Sequence, residues 1–109
     1  MKWFKVFDSP EAAQQKVPPG STQLLIAHGR RICLGHTQTG YFAVDDTCPH
    51  MGESLSKGVL NYLGEVVCPW HNYRFDLRTG QECEKRTSEA IRHTIEFRED
   101  GMYLGVKEQ

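Results

Sequence analysis

Long apolar runs are missing from this chain. Its longest purely aliphatic stretch is Leu24–Ala27, far too short to span a bilayer. Met1 to Pro10 alternates aromatic, charged and aliphatic residues and has no continuous apolar stretch, so it does not read as a signal peptide. Charge of one sign is also missing. Thirteen Lys and Arg face 14 Asp and Glu, a formal net charge of −1. Nucleic-acid binding, which wants a basic face, is not supported. There is no internal repeat, linker or low-complexity stretch. Cysteines number four. Without a secretion signal, metal binding is the better expectation for them than disulfides. These absences leave a soluble, cytoplasmic chain of 109 residues, short enough for one compact domain over residues 1–109.

What is present is mostly short strands and tight turns. Trp3–Phe7 reads as a first strand. Ser9-Pro10-Glu11 reads as a helix start, with Ser9 as N-cap and Pro10 at the first helical position, so a short turn over Pro10–Gln15 is expected. Val17-Pro18-Pro19-Gly20 stops it. Thr22–Ala27, Arg30–Gly35 and Tyr41–Asp45 follow as strands, joined by turns at His28-Gly29 and Thr37–Gly40. Arg74–Leu77 is a further strand. Ile91, His93, Ile95 and Phe97 alternate with Arg92, Thr94 and Glu96, the period-two pattern of a strand with one buried face. Asp100-Gly101 is read as a hairpin turn into a closing strand, Met102–Val106. Residues 82–90 are left undecided between a helical turn and a loop. The expected fold class is all-β, an antiparallel β-sandwich or small barrel.

Two segments stand apart from the strands. Thr47-Cys48-Pro49-His50-Met51-Gly52 and Val67-Cys68-Pro69-Trp70-His71-Asn72 each offer one thiol and one imidazole. Each cysteine is followed by proline, which removes an amide donor and favours an irregular loop. Seventeen residues separate His50 from Cys68, and a strand pair around Gly58–Val67 could fill them as a hairpin. Two loops brought side by side in this way would make a four-ligand cup of Cys48, His50, Cys68 and His71. Sulfur and nitrogen donors suit zinc or an iron–sulfur cluster. Structural zinc sites usually pair like with like, C-x₂₋₄-C and H-x₃₋₅-H, whereas here each loop mixes the two.

The pattern C-x-H, seventeen residues, C-x-x-H resembles that of Rieske [2Fe–2S] proteins. Gly52 after the first loop, and Arg74-Phe75-Asp76 with Thr79-Gly80 after the second, are similar to Rieske ferredoxins, the ferredoxin components of Rieske non-haem iron oxygenase systems. The resemblance implies a base domain carrying a cluster-binding subdomain over about residues 46–76. It implies one [2Fe–2S] cluster, with Cys48 and Cys68 on one iron and His50 and His71 on the other. It also implies a one-electron carrier, not an enzyme, passing electrons from a reductase to a terminal oxygenase, as a monomer, with no nucleic acid and no membrane involved. The chain is too short to be the oxygenase as well. A small accessory subunit of a nitrite-reductase-type enzyme and a structural zinc module are the competing readings.

High-potential members of the family carry an extra cysteine in each loop and hydroxyls near sulfur. This chain has Glu53 and Trp70 at the first pair of positions, and Tyr73 and Phe75 at the second, so a low potential is expected. The midpoint is also expected to fall as pH rises into the alkaline range. Trp70 and Met51 read as shielding for the centre, and Pro49 and Pro69 complete a small apolar rim. Cys33 and Cys83 read as small buried apolar groups, His28 and His36 as solvated turn residues, and His93 as packed in the sheet. The charge runs Glu84-Lys85-Arg86 and Arg98-Glu99-Asp100 read as ordinary turn faces.

Overall fold

Ser9 caps a short α-helix. In the computed structural model its hydroxyl accepts a hydrogen bond from the Ala12 amide at 3.0 Å. Helix α1 runs Pro10–Lys16, with Glu11 in its first turn and Lys16 in its last, both placed favourably for the helix dipole. The structure describes residues 1–50, 52–70 and 72–107. Met51, His71, Glu108 and Gln109 lie outside the described residues.

The strands are β1 (Lys2–Phe7), β2 (Thr22–Ala27), β3 (Arg30–Thr37), β4 (Gly40–Asp45), β5 (Val59–Leu60), β6 (Glu65–Val67), β7 (Arg74–Asp76), β8 (Arg92–Arg98) and β9 (Gly101–Val106). A six-stranded sheet has the order β1-β9-β8-β4-β3-β2, and a three-stranded sheet the order β5-β6-β7. Every pairing is antiparallel. The larger sheet curls into a half-barrel, so the all-β expectation holds. The β2–β3 hairpin turns on His28 and Gly29, with φ of +54° and +74°. Two successive positive φ values match the right-handed twist of the flanking strands, and glycine supplies the second without strain. At the β8–β9 hairpin the turn is Glu99-Asp100, and Gly101 is already paired with Arg98. The closing strand therefore begins one residue earlier than the sequence suggests.

Strand β3 is buried from Ile32 to Gly35 without alternation, because both of its faces are covered. Ile32 and Leu34 join Ala13, Val17, Met102 and Leu104 in one core beneath α1. Cys33 points the other way, with Val44, into a second core against Leu55, Val66, Phe75, Leu77 and Ala90. That second core fastens the small sheet to the large one, and Cys48 and Cys68 belong to it. Along β8 the expected buried face fades. His93 is buried, Ile95 half-buried, and Phe97 is exposed, its ring edge-on to Tyr41 at 5.7 Å.

Candidate metal centre

The first loop leaves β4 and is held at its root by a buried carboxylate. The Asp46 amide donates to the Arg31 carbonyl at 3.0 Å and its carbonyl accepts from the Leu55 amide at 2.6 Å. Its side chain accepts from the Ser56 amide at 2.8 Å and from the Ser54 hydroxyl. Between these ends the loop closes on itself. Cys48 N–H donates to the Glu53 carbonyl and Gly52 N–H to the Cys48 carbonyl, each at 2.8 Å. The second loop joins β6 to β7. It closes beyond the last ladder pair, Val67 with Arg74, by a 2.7 Å hydrogen bond from Cys68 N–H to the Tyr73 carbonyl. The expected hairpin between the loops exists as β5 and β6, with Val59 opposite Val67.

Both sulfurs face inward. Cys48 is 1% exposed and Cys68 is fully buried, and none of the four cysteines is in a disulfide. Burial pushes the Cys68 thiol up to about 11; the Trp70 amide hydrogen bond pulls it down, while the Cys48 side chain, within hydrogen-bonding reach, and Glu53 raise it further. A thiol held protonated by burial, as Cys68 is, gives up its proton to a strong local cation. This donor set fits an iron–sulfur centre. His50 is half-buried, and its ring lies flat on Tyr73, with centroids 3.8 Å apart and planes 11° apart. His71, the fourth expected ligand, and Met51 fall outside the described residues. Among the described residues no three His, Cys, Asp or Glu side chains converge on one point as a mononuclear cation site would require.

Around the sulfurs, Pro69 is exposed, Pro49 half-buried, and Trp70 is 50% exposed. Trp70 thus gives the loops an open apolar face. Phe75 is fully buried in the core, and Tyr73 meets His50 through its ring.

Residues away from the loops divide. Cys33 is fully buried, and burial, with some help from Asp46, pushes its thiol up to about 12, so it is an inert core group. Cys83 is exposed, against expectation, because the turn after Glu82 carries it off the core. His28 is exposed. His36 is not merely solvated. It sits in β3, its Nδ1 is 2.8 Å from the Val17 carbonyl, and it stacks on Tyr41 at 3.9 Å. His93 is partnered in the sheet. Its Nδ1 accepts from the Lys107 amide at 3.1 Å, which leaves Nε2–H to donate to Asp45 at 2.6 Å.

Sequence reading missed Glu82 and Arg86. The segment after Gly80 is neither helix nor strand. The Phe75–Glu82 bridge and the Cys83 amide, which donates to the Arg74 carbonyl at 2.8 Å, tie it to β7. Glu82 is 1% exposed, and its carboxylate accepts from Arg86 Nε at 3.1 Å and Nη2 at 3.0 Å. The Arg86 hydrogen bonds, and then the backbone amides of Glu84 and Arg86, hold its pKa down to about 2 against the cost of burial. Arg86 is therefore not an ordinary turn charge. The spacing of Glu82 and Arg86, four apart, was a signal, but only one that a helix would have made legible.

With this geometry in view, the likeness to known proteins is specific. The sequence model of the Rieske [2Fe-2S] domain matches residues 3–94. The chain is 31% identical over 96 residues to the 3-phenylpropionate/cinnamic acid dioxygenase ferredoxin subunit of Photorhabdus laumondii, spanning 87% of this chain and 90% of that one. It is 45% identical over 65 residues to the ferredoxin component of the p-cumate 2,3-dioxygenase system of Pseudomonas putida, 59% of this chain and 54% of that one. In fold it is similar to the ferredoxin of carbazole 1,9a-dioxygenase from Nocardioides aromaticivorans, with a TM-score of 0.83 at 20% identity over 98% of this chain and all of the other. The structural zinc module falls away as a reading, because the family's centre is iron and sulfide. The chain belongs to the Rieske [2Fe–2S] domain family, and its cofactor is one [2Fe–2S] cluster.

Proposed function

We propose that this chain is a free-standing Rieske-type ferredoxin that carries single electrons from a reductase to a terminal oxygenase. The observation that carries the reading is the pair of buried, unoxidised sulfurs, Cys48 and Cys68, brought within reach of each other from two separate loops. Likeness to ferredoxin subunits along most of the chain supplies the context.

Cys48 and Cys68 hold one iron, and His50 and His71 the other. This division asks for two protein donors per iron, so no three side chains need share a point. When bound, the cluster supplies one-electron redox chemistry. The protein excludes water from the sulfurs and presents the histidine side outward on the half-exposed His50. The apolar surface of Pro49, Pro69 and Trp70 suits a small transient contact with the redox partners. Residues 1–109 form one domain, and 46–76 its cluster-binding part. The protein works in the cytoplasm as a monomer. No helix among the described residues is long and apolar enough to cross a membrane, which agrees with that placement.

Purified anaerobically, the protein is expected to be red-brown, with iron and acid-labile sulfide in equal amounts and a histidine-ligated EPR signal on reduction. Cys48→Ser and Cys68→Ser should each abolish all three, and a coloured Cys68→Ser protein with that signal would overturn the ligand set. Electron transfer to an oxygenase in a reconstituted system tests the carrier role. A nitrite-reductase accessory subunit would present the same fold, and obligate co-purification with a large reductase would identify it instead.

A further inference from the structure

Behind the two loops lies a third segment with no part in electron transfer as described so far. Glu82 is 1% exposed, and every direction of its carboxylate is used. It accepts from the Glu84 amide at 3.0 Å, the Arg86 amide at 2.7 Å, and the Arg86 guanidinium twice, at 3.1 and 3.0 Å. The guanidinium so pinned lies over the Tyr73 ring, its Cζ 3.7 Å from the centroid. The His50 imidazole lies 3.8 Å from the same centroid, nearly parallel. Two groups that close to one six-membered ring cannot occupy the same face. The order is therefore Glu82, Arg86, Tyr73, His50, four side chains from three segments in one line.

We propose that Glu82, Arg86 and Tyr73 form a clamp that fixes the ring plane of His50, and that this clamp sets how tightly the chain retains its cluster. The inference rests on the reading of His50 as an iron ligand. A histidine ligand usually has its ring oriented by a hydrogen bond from its second nitrogen, and loss of such a support typically weakens metal binding about 10- to 100-fold. Here the ring face is gripped as well. His50 follows Pro49 on the irregular first loop, outside any strand or helix. Tyr73 begins where the second loop ends, so one stack ties the first loop to the second. Arg86 is suited to its place because a planar guanidinium stacks on a ring while its edge still serves a carboxylate. The Glu82 bonds order that guanidinium in advance, so little freedom is lost in stacking. These three are positioning residues that act through His50.

The test compares iron release to a chelator and the EPR g values of the reduced full chain in four variants. Tyr73→Leu, which removes the ring, should release iron at least about 10-fold faster than wild type and shift the g values. Tyr73→Phe keeps the ring and should behave as wild type. Arg86→Gln should move both readouts in the same direction as Tyr73→Leu, and carries the test if that variant gives no folded protein. Wild-type release and g values in Arg86→Gln, or iron loss that merely follows a lowered urea midpoint of the loaded protein with unchanged g values, would overturn the clamp. His50→Ala separates the two claims. If it keeps the histidine-ligated signal, the ligand reading fails and takes the clamp with it. If it loses that signal while Tyr73→Leu matches wild type, the clamp alone fails.

Discussion

Gly58 faces the carbonyl of Val67 so closely that a Cβ at position 58 would stand 1.8 Å from that oxygen. The amide of Gly58 also closes the 3₁₀ turn Leu55–Lys57, donating to the Leu55 carbonyl at 2.9 Å. Val67 directly precedes Cys68, so this contact sets how near the end of the first loop's support comes to the second loop. Gly58→Ala must push backbone away from backbone. A cost of about 2 kcal/mol is expected, in the range of overpacked cores, together with a lower iron content. Urea unfolding with metal analysis checks it, and an unchanged urea midpoint would remove the glycine from this account.

Glu82 is buried and serves five donors, the Cys83 thiol among them. Glu82→Ala leaves two amides and a guanidinium without their acceptor. Removing one member of a buried pair costs about 3 kcal/mol at the lower end, which suits the partly exposed Arg86. The loss should appear as a lower urea midpoint with an unchanged m value.

Two pH windows should be separable in unfolding experiments. Burial lowers the His93 pKa below its ordinary value near 6.5, opposed by the hydrogen bond to Asp45. Between those two values the unfolded chain binds a proton that the folded chain refuses, so stability falls as pH drops below about 6.5. In His93→Gln the slope from pH 7.5 to 5.5 should flatten. Glu82 acts with the same sign in a lower window, because its pKa too is lowered on folding. Its pKa is about 2 in the folded chain against an ordinary 4.5, so its contribution is complete above 4.5 and drains away between 4.5 and 2. Glu82→Gln should flatten that lower window and leave the upper one intact.

The midpoint potential should lie near the low end of the Rieske range, on the order of −150 mV. Phe75 is buried in the core and carries no hydroxyl, and no disulfide braces the loops. With fewer hydrogen bonds to sulfur the reduced, more negative centre is less stabilised. Protein-film voltammetry reads this directly, and a clearly positive midpoint would refute it.

Local chemistry made much of the fold readable. Ser9-Pro10 marked the start of α1, and His28-Gly29 marked the first hairpin, because a cap and a two-residue turn are decided by neighbours in the chain. The alternation of β8 located the strand but overstated its buried face. Phe97 lies toward the β8–β9 turn and stays exposed beside Tyr41. Cys83 was misjudged for a similar reason, since nothing in its neighbours reveals that Glu82 rather than the cysteine takes the buried place.

By itself the sequence determined the all-β class, the two loops, and the residue types that single out a sulfur-and-nitrogen centre, because each follows from spacing within a few residues. Only the tertiary structure decided which groups support that centre. Asp46 under the first loop, the closeness of Gly58 to Val67, and the line from Glu82 through Arg86 and Tyr73 to His50 join segments that sequence separation keeps apart. Packing and burial choose such partners, and neither leaves a periodic trace in the chain.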